Sequence, residues 1–302
     1  MTEILSTAET PIERSRRRVL ALIAFGLMLS MTTWFSTSAV LGQLRDRWEL
    51  STNQSSVLIV VLQLGFVAGA LASAAAGLAD RMGLRQLVAL SAVGAATANA
   101  LIIAVDGFGP AVLLRFLTGA FLAGVYPPAL KLVATWFRQG RGAAMGLMIA
   151  ALTVGSAVPH LVNGFGGAQW RDVLAATSAA TVVGALIIRV AGAEGPYPFP
   201  RTGFRRSEAA RVLRDRPVVL ASAGYVGHMW ELYAMWAWIG VFLGDVVDRE
   251  GSDLTPSFLA FWAIAVGAAG SIVAGLYGDR VGKRRSAMIA MVASGSAAVV
   301  VG

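Results

Sequence analysis

The chain has 302 residues, of which 56% are hydrophobic and only 14% charged, with a formal net charge of +8 and a mean hydropathy of +0.67. Soluble domains carry about 25% charged residues, so this chain cannot clothe a water-facing surface, and its repeated uncharged runs are long enough to span a bilayer. The absence of cysteine excludes disulfides and thiolate metal sites. Two histidines, with no HExxH and no GxxxxGK[ST], argue against zinc hydrolysis and a phosphate-cradling loop. The expectation is an all-α polytopic membrane protein with no metal, no cofactor and no enzymatic centre.

Reading apolar runs between charge clusters predicts spans over residues 19–41, 56–79, 87–105, 110–130, 143–165, 173–188, 217–244 and 256–277, with a ninth from 286. A β-barrel would alternate apolar and polar residues instead. Arg14, Arg16, Arg17 and Arg18 precede the first run, which reads as a span with a basic inner flank and not as a cleaved signal. Placing the N-terminus in the cytoplasm puts 20 of the 25 Lys and Arg inside and four outside. That bias predicts an inner or plasma membrane protein with a cytoplasmic N-terminus. It also assigns the positive charge to topology and anionic lipid, not to nucleic acid. The stretch from Arg189 to Arg216 holds Gly192, Gly195, Pro196, Pro198, Pro200 and Gly203 and then a basic segment, which predicts a linker with a short interfacial helix over 207–216.

Two loops repeat. Ala76-Gly-Leu-Ala-Asp80-Arg81-Met-Gly83-Leu-Arg85 follows the second span, and Gly275-Leu-Tyr-Gly-Asp279-Arg280-Val-Gly282-Lys283-Arg284 follows the eighth. Their Asp-Arg-x-Gly cores lie 199 residues apart in the same membrane orientation, as two parallel halves of six helices require. This doubled loop, with Arg115-Phe-Leu-Thr-Gly119 in the fourth span, resembles the major facilitator superfamily of secondary transporters. The first copy departs from the family pattern at Ala76 and at Leu84; the second matches well. The resemblance implies a tail over 1–18, a six-helix half over 19–190, a linker over 191–216 and an incomplete second half over 217–302. Two such halves need roughly 400 residues and twelve spans, so about nine spans are expected here and the chain reads as C-terminally truncated. The resemblance implies that Asp80, Arg81, Gly83, Arg85, Gly275, Asp279, Arg280, Gly282, Lys283 and Arg284 form conformational loops.

Several residues are candidates for substrate or proton handling. Arg115 lies within a span, where a charge costs roughly 2.5–3.5 kcal/mol on insertion scales; it either binds, couples, or snorkels towards Asp106. His228 and Glu231 share a helical face at i, i+3 and form either a proton-exchanging pair or a tie between helices. His160 follows Pro159 and could instead bond a carbonyl that the proline frees. Tyr126 opens Tyr126-Pro127-Pro128, which should break the fourth span. Trp34, Gln63 and Asn99 are possible cavity groups. The expected activity is alternating-access movement of a small solute, proton-coupled and of an organic anion in the leading reading. A multidrug/proton antiporter and a non-transporting membrane protein are the alternatives. Membrane lipids, protons and a small-molecule substrate are the expected partners.

Overall fold

The computed structural model describes residues 11–165, 168–199 and 214–301, all helix and connection, with no strand among them. In chain order the helices are α1 (Pro11–Ser30), α2 (Ser36–Ala39), α3 (Leu41–Trp48), α4 (Thr52–Ala76), α5 (Leu78–Arg81), α6 (Leu84–Leu101), α7 (Phe108–Leu122) and α8 (Tyr126–Ala134). They continue as α9 (Arg141–Gly164), α10 (Trp170–Ala191), α11 (Arg216–Glu250), α12 (Pro256–Ala265), α13 (Gly267–Val281) and α14 (Lys283–Val301). Six stretches among the described residues are long and apolar enough to cross a membrane: Thr52–Ala76, Leu84–Ala104, Phe108–Ala134, Arg141–Gly164, Trp170–Ala191 and Pro256–Val281. The other three expected spans are helical as well, but α1 and α14 open on clustered basic residues and α11 carries His228 and Glu231.

Local chemistry sets the helix ends. Ser51 and Gln54 close a reciprocal capping box on α4, with Ser51 N donating to Gln54 Oε1 at 2.9 Å and Gln54 N to Ser51 Oγ at 3.3 Å. Gly77, in the left-handed region at φ 62°, ends α4 and lets the chain re-enter helix as α5. Pro217 and Pro256 sit in the first turns of α11 and α12, where a missing N–H costs nothing.

The first expected span is not continuous. α1 stops at Ser30 and residues 31–35 form turns before α2 begins. Neither Pro nor Gly lies in Met31-Thr-Thr-Trp-Phe35. Instead, polar side chains compete for the backbone: Thr32 Oγ1 donates to Leu29 O at 2.8 Å and Ser36 Oγ to Thr33 O at 3.0 Å. The fourth span breaks between α7 and α8 as Pro127 and Pro128 predict. The eighth bends at Val266, between α12 and α13.

Glycine contacts bring helices together at backbone distance. α4 meets α7 through Gly65, Gly69 and Gly119, and α1 meets α9 where Gly155 faces Met28. α9 meets α13 through Gly142, Gly146 and Gly275. One large apolar cluster, including Leu27, Met31, Trp34, Leu62, Leu122, Met148, Trp236 and Ile264, runs through α1, α4, α7, α9, α11 and α12. Asn99 is fully buried and satisfied: it accepts from Ser36 Oγ at 2.7 Å and donates to Ser178 Oγ at 3.0 Å and Leu174 O at 3.3 Å. It therefore ties the broken first span to α6 and α10.

The segment after α10 is strapped to the end of α8. Gly195 N donates to Thr135 Oγ1 at 2.7 Å, Tyr197 N to Thr135 O at 3.0 Å, and Trp136 Nε1 to Ala193 O at 2.7 Å. The Arg138 guanidinium stacks 4.4 Å above the Tyr197 ring. The interfacial helix expected over 207–216 falls largely outside the described residues.

Candidate functional site

The interruption of the first span places Trp34 and Phe35 against α11. Trp34 stacks on Tyr233 at 5.8 Å between ring centroids and tilts on Phe66 at 4.9 Å, while Phe35 meets Trp236 edge-on at 5.6 Å. Tyr225, Tyr233 and Trp236 recur at helical spacing on one face of α11. The phenols of Tyr126, Tyr225 and Tyr233 are close enough to interact electrostatically, so Tyr126 at the start of α8 belongs to the same neighbourhood.

Arg115 is 1% exposed and does not reach Asp106, whose carboxylate pairs with Arg47 at 3.6 Å. Its two terminal nitrogens donate to Trp34 O at 2.9 Å and Thr33 O at 3.3 Å, carbonyls left over where the helix stops. Its Nε has no hydrogen-bond partner. A buried cation thus holds an unwound segment, and the same segment carries the aromatic face.

His160 is 2% exposed, its Nε2 has no partner, and Gly240 of α11 lies beside its ring. One turn earlier, the buried Ser156 hydroxyl is likewise unpartnered. Asn163 joins three elements, donating to Ala39 O and to Ser257 Oγ, each at 2.8 Å. Gln63 is half-buried, and its side-chain amide folds back against the carbonyls of Ile59 and Val60 on its own helix. Trp34 Nε1 is buried without a partner. Burial of so many unpaired polar atoms is costly in an apolar interior, which marks the region between the broken first span, α9 and α11 as the candidate site.

Glu231 lies elsewhere. Two residues along a helix is about 200° of rotation, so Glu231 points away from Tyr233. Its Oε1 accepts from Ser294 Oγ of α14 at 2.6 Å, and Oε2 lies 4.0 Å from His228 Nδ1. The pair is half exposed, and Glu231 borders the last helix, while His228 sits at the edge of the aromatic face.

The two copies of the loop motif make different contacts. Asp279 reaches across to α9, accepting from Gly142 N and Ala143 N at 2.9 Å each, so a carboxylate caps a helix start that has no side-chain cap of its own. Arg280, Lys283 and Arg284 stay exposed around it, and Gly275 meets Gly142 at backbone distance. Asp80 instead pairs with Lys131 of α8 at 3.5 Å. Arg81 is exposed, and Gly83, at φ 76°, opens α6, where Arg85 lies in the first turn. Asp279→Ala should cost about 1 kcal/mol, the worth of an exposed cap, and speed amide exchange at Gly142 and Ala143. Unchanged exchange at both amides would show that the clamp does not order this end of α9.

The profile of the Major Facilitator Superfamily matches residues 23–302. The chain belongs to the major facilitator superfamily. Comparison with curated proteins gave no match. Among solved structures, a bacterial homologue of the human lysosomal transporter Spinster, inward-facing and unoccupied, superposes with a TM-score of 0.60 at 18% identity. The match covers 89% of this chain and 61% of that one, so this chain spans less than two thirds of its length. The superfamily fold, all-α and polytopic, makes this an integral membrane protein, with both the doubled loop and the Arg115–Gly119 motif within the matched residues.

Proposed function

We propose that this protein moves a small solute across the membrane by alternating access, with the substrate held where the unwound first span meets α9 and α11. The observation that supports the reading is the break at residues 31–35: its carbonyls are held by Arg115 while Trp34 and Phe35 face Tyr233 and Trp236. Interrupted helices at the midplane expose backbone groups to substrates without lipid contact. The substrate class proposed is an organic anion with a flat or apolar body: aromatic rings for the body, with Arg115 and His160 near the charge. The two six-helix halves proposed, over 19–190 and from 217 onward, rock about this site, with the linker over 191–216 between them. The basic bias supports a cytoplasmic N-terminus in an inner or plasma membrane.

The test is reconstitution, at the full length the gene encodes, into liposomes holding a pH-sensitive dye. Benzenesulfonate, which does not cross bilayers as a neutral acid, is the probe, and ethidium is the cationic comparison. Uptake of the sulfonate supports the reading, uptake of ethidium alone replaces it with drug antiport, and flux of neither removes it.

His228 and Glu231 are proposed as the proton-responsive pair, supported by their 4.0 Å approach and by the Ser294 hydrogen bond to the carboxylate. Glu231→Gln should then abolish the dependence of uptake on an imposed pH gradient while leaving counterflow exchange of the probe intact. Undiminished gradient dependence in the variant would reduce the pair to a tie between α11 and α14.

A further inference from the structure

At the end of the bundle that carries the N-terminal arginines, a cavity of about 400 Å³ opens between the start of α6 and the end of α10. Arg85 and Arg189 line it, with Gly83, Gln86 and Glu194. Neither guanidinium is paired with a carboxylate among the described residues. No side chain caps α6, and its first residues, Leu84, Arg85 and Gln86, line the same opening. The three features converge on an anion: two planar five-donor forks, suited to phosphate oxygens, and a helix start behind them.

The surroundings name the source of that anion. Leu84–Ala104 and Trp170–Ala191 are membrane-length, so the cavity at their ends sits at headgroup level. Beside it Val190 of α10 is exposed at 72%, and below it Leu90 on α6 and Leu186 on α10 at 54% and 61%, a lane for acyl chains and not for a water-borne ion. Glu194 leaves the lining with one net positive charge, which suits a singly charged phosphodiester. We infer that this cavity is a binding site for the headgroup of an anionic phospholipid, held by Arg85 and Arg189. Arg85 then ties the first loop motif to the bilayer surface.

The test titrates the purified protein in micelles with dihexanoyl phosphatidylglycerol, dihexanoyl phosphatidylcholine and inorganic phosphate, reading retained adduct by native mass spectrometry. The expected result is preferential retention of phosphatidylglycerol, reduced about fivefold by Arg85→Gln or Arg189→Gln and increased by Glu194→Gln. Equal retention of phosphatidylcholine, or full retention in the double arginine variant, would overturn the site. Displacement of the lipid by equimolar phosphate would overturn the lipid in favour of a soluble anion. If the double variant is not monodisperse, Glu194→Gln decides: no gain in phosphatidylglycerol retention rejects the proposal.

Discussion

Gly119→Val is expected to cost about 3 kcal/mol or more and to lower the midpoint of thermal unfolding in detergent by several degrees. A Cβ at Gly119 would overlap the carbonyl oxygen of Leu62 and lie 2.8 Å from its carbon and 3.0 Å from Phe66 N. These are backbone atoms of α4, which cannot rotate away as a side chain would. Gly65 faces Phe116 and Gly69 faces Ala120 in the same way, so α4 and α7 touch along two turns with no side chains between them. Overpacking generally costs about 1–3 kcal/mol, and the upper end applies where only a shift of a whole helix relieves the clash. That shift would carry Arg115 away from Thr33 and Trp34 and Phe66 away from Trp34. Gly244 is the control. It lies within α11 with nothing within 4 Å of an added Cβ, so Gly244→Ala should be neutral or stabilise by roughly 0.5–1 kcal/mol. Equal losses at both positions would mean that the close approach of α4 and α7 does not set stability.

Apolar run length and the spacing of charge clusters made the helices of this fold legible, because a bilayer leaves backbone groups few options but helix. The break before α8 was legible too, since Pro127 and Pro128 announce it in the sequence. The break at residues 31–35 was not. Nothing in Met31-Thr-Thr-Trp-Phe35 opposes helix strongly; the groups that stabilise the interruption are Arg115, more than 80 positions away, and the Thr177 carbonyl and Thr181 hydroxyl that meet the Thr32 hydroxyl. Arg115 itself was conspicuous as a charge in an apolar run, but its direction was not: Arg47 takes the Asp106 carboxylate, one of the destinations the sequence left open. The spacing of Tyr225, Tyr233 and Trp236 held a usable signal for the aromatic face, one that the nearby His228 and Glu231 overshadowed. The partner of Asp279 could not be read at all: it is a pair of backbone amides, which have no sequence signature.

Arg115→Met is expected to abolish uptake of the probe solute, by more than tenfold, while changing stability by less than about 2 kcal/mol. Two hydrogen bonds from a charged donor contribute roughly 1.5–3 kcal/mol each, and Met forfeits both, leaving Thr33 O with only the Ser36 hydroxyl and Trp34 O without its guanidinium donor. Against that loss, a guanidinium 1% exposed with no carboxylate against it among the described contacts carries a desolvation penalty of several kcal/mol, which the substitution removes. The two terms nearly cancel in the folding balance. They do not cancel in the site, because the unwound segment loses the clamp that aims Trp34 and Phe35 at α11. Arg115→Lys separates charge from geometry. A single ammonium keeps the cation but cannot span carbonyls that accept from different guanidinium nitrogens at 2.9 and 3.3 Å, so uptake should be intermediate between wild type and Met. If Lys matches wild type, the charge alone matters and Arg115 acts on the substrate directly. If Met retains full uptake, the broken first span orders itself without Arg115 and the site proposed around it fails.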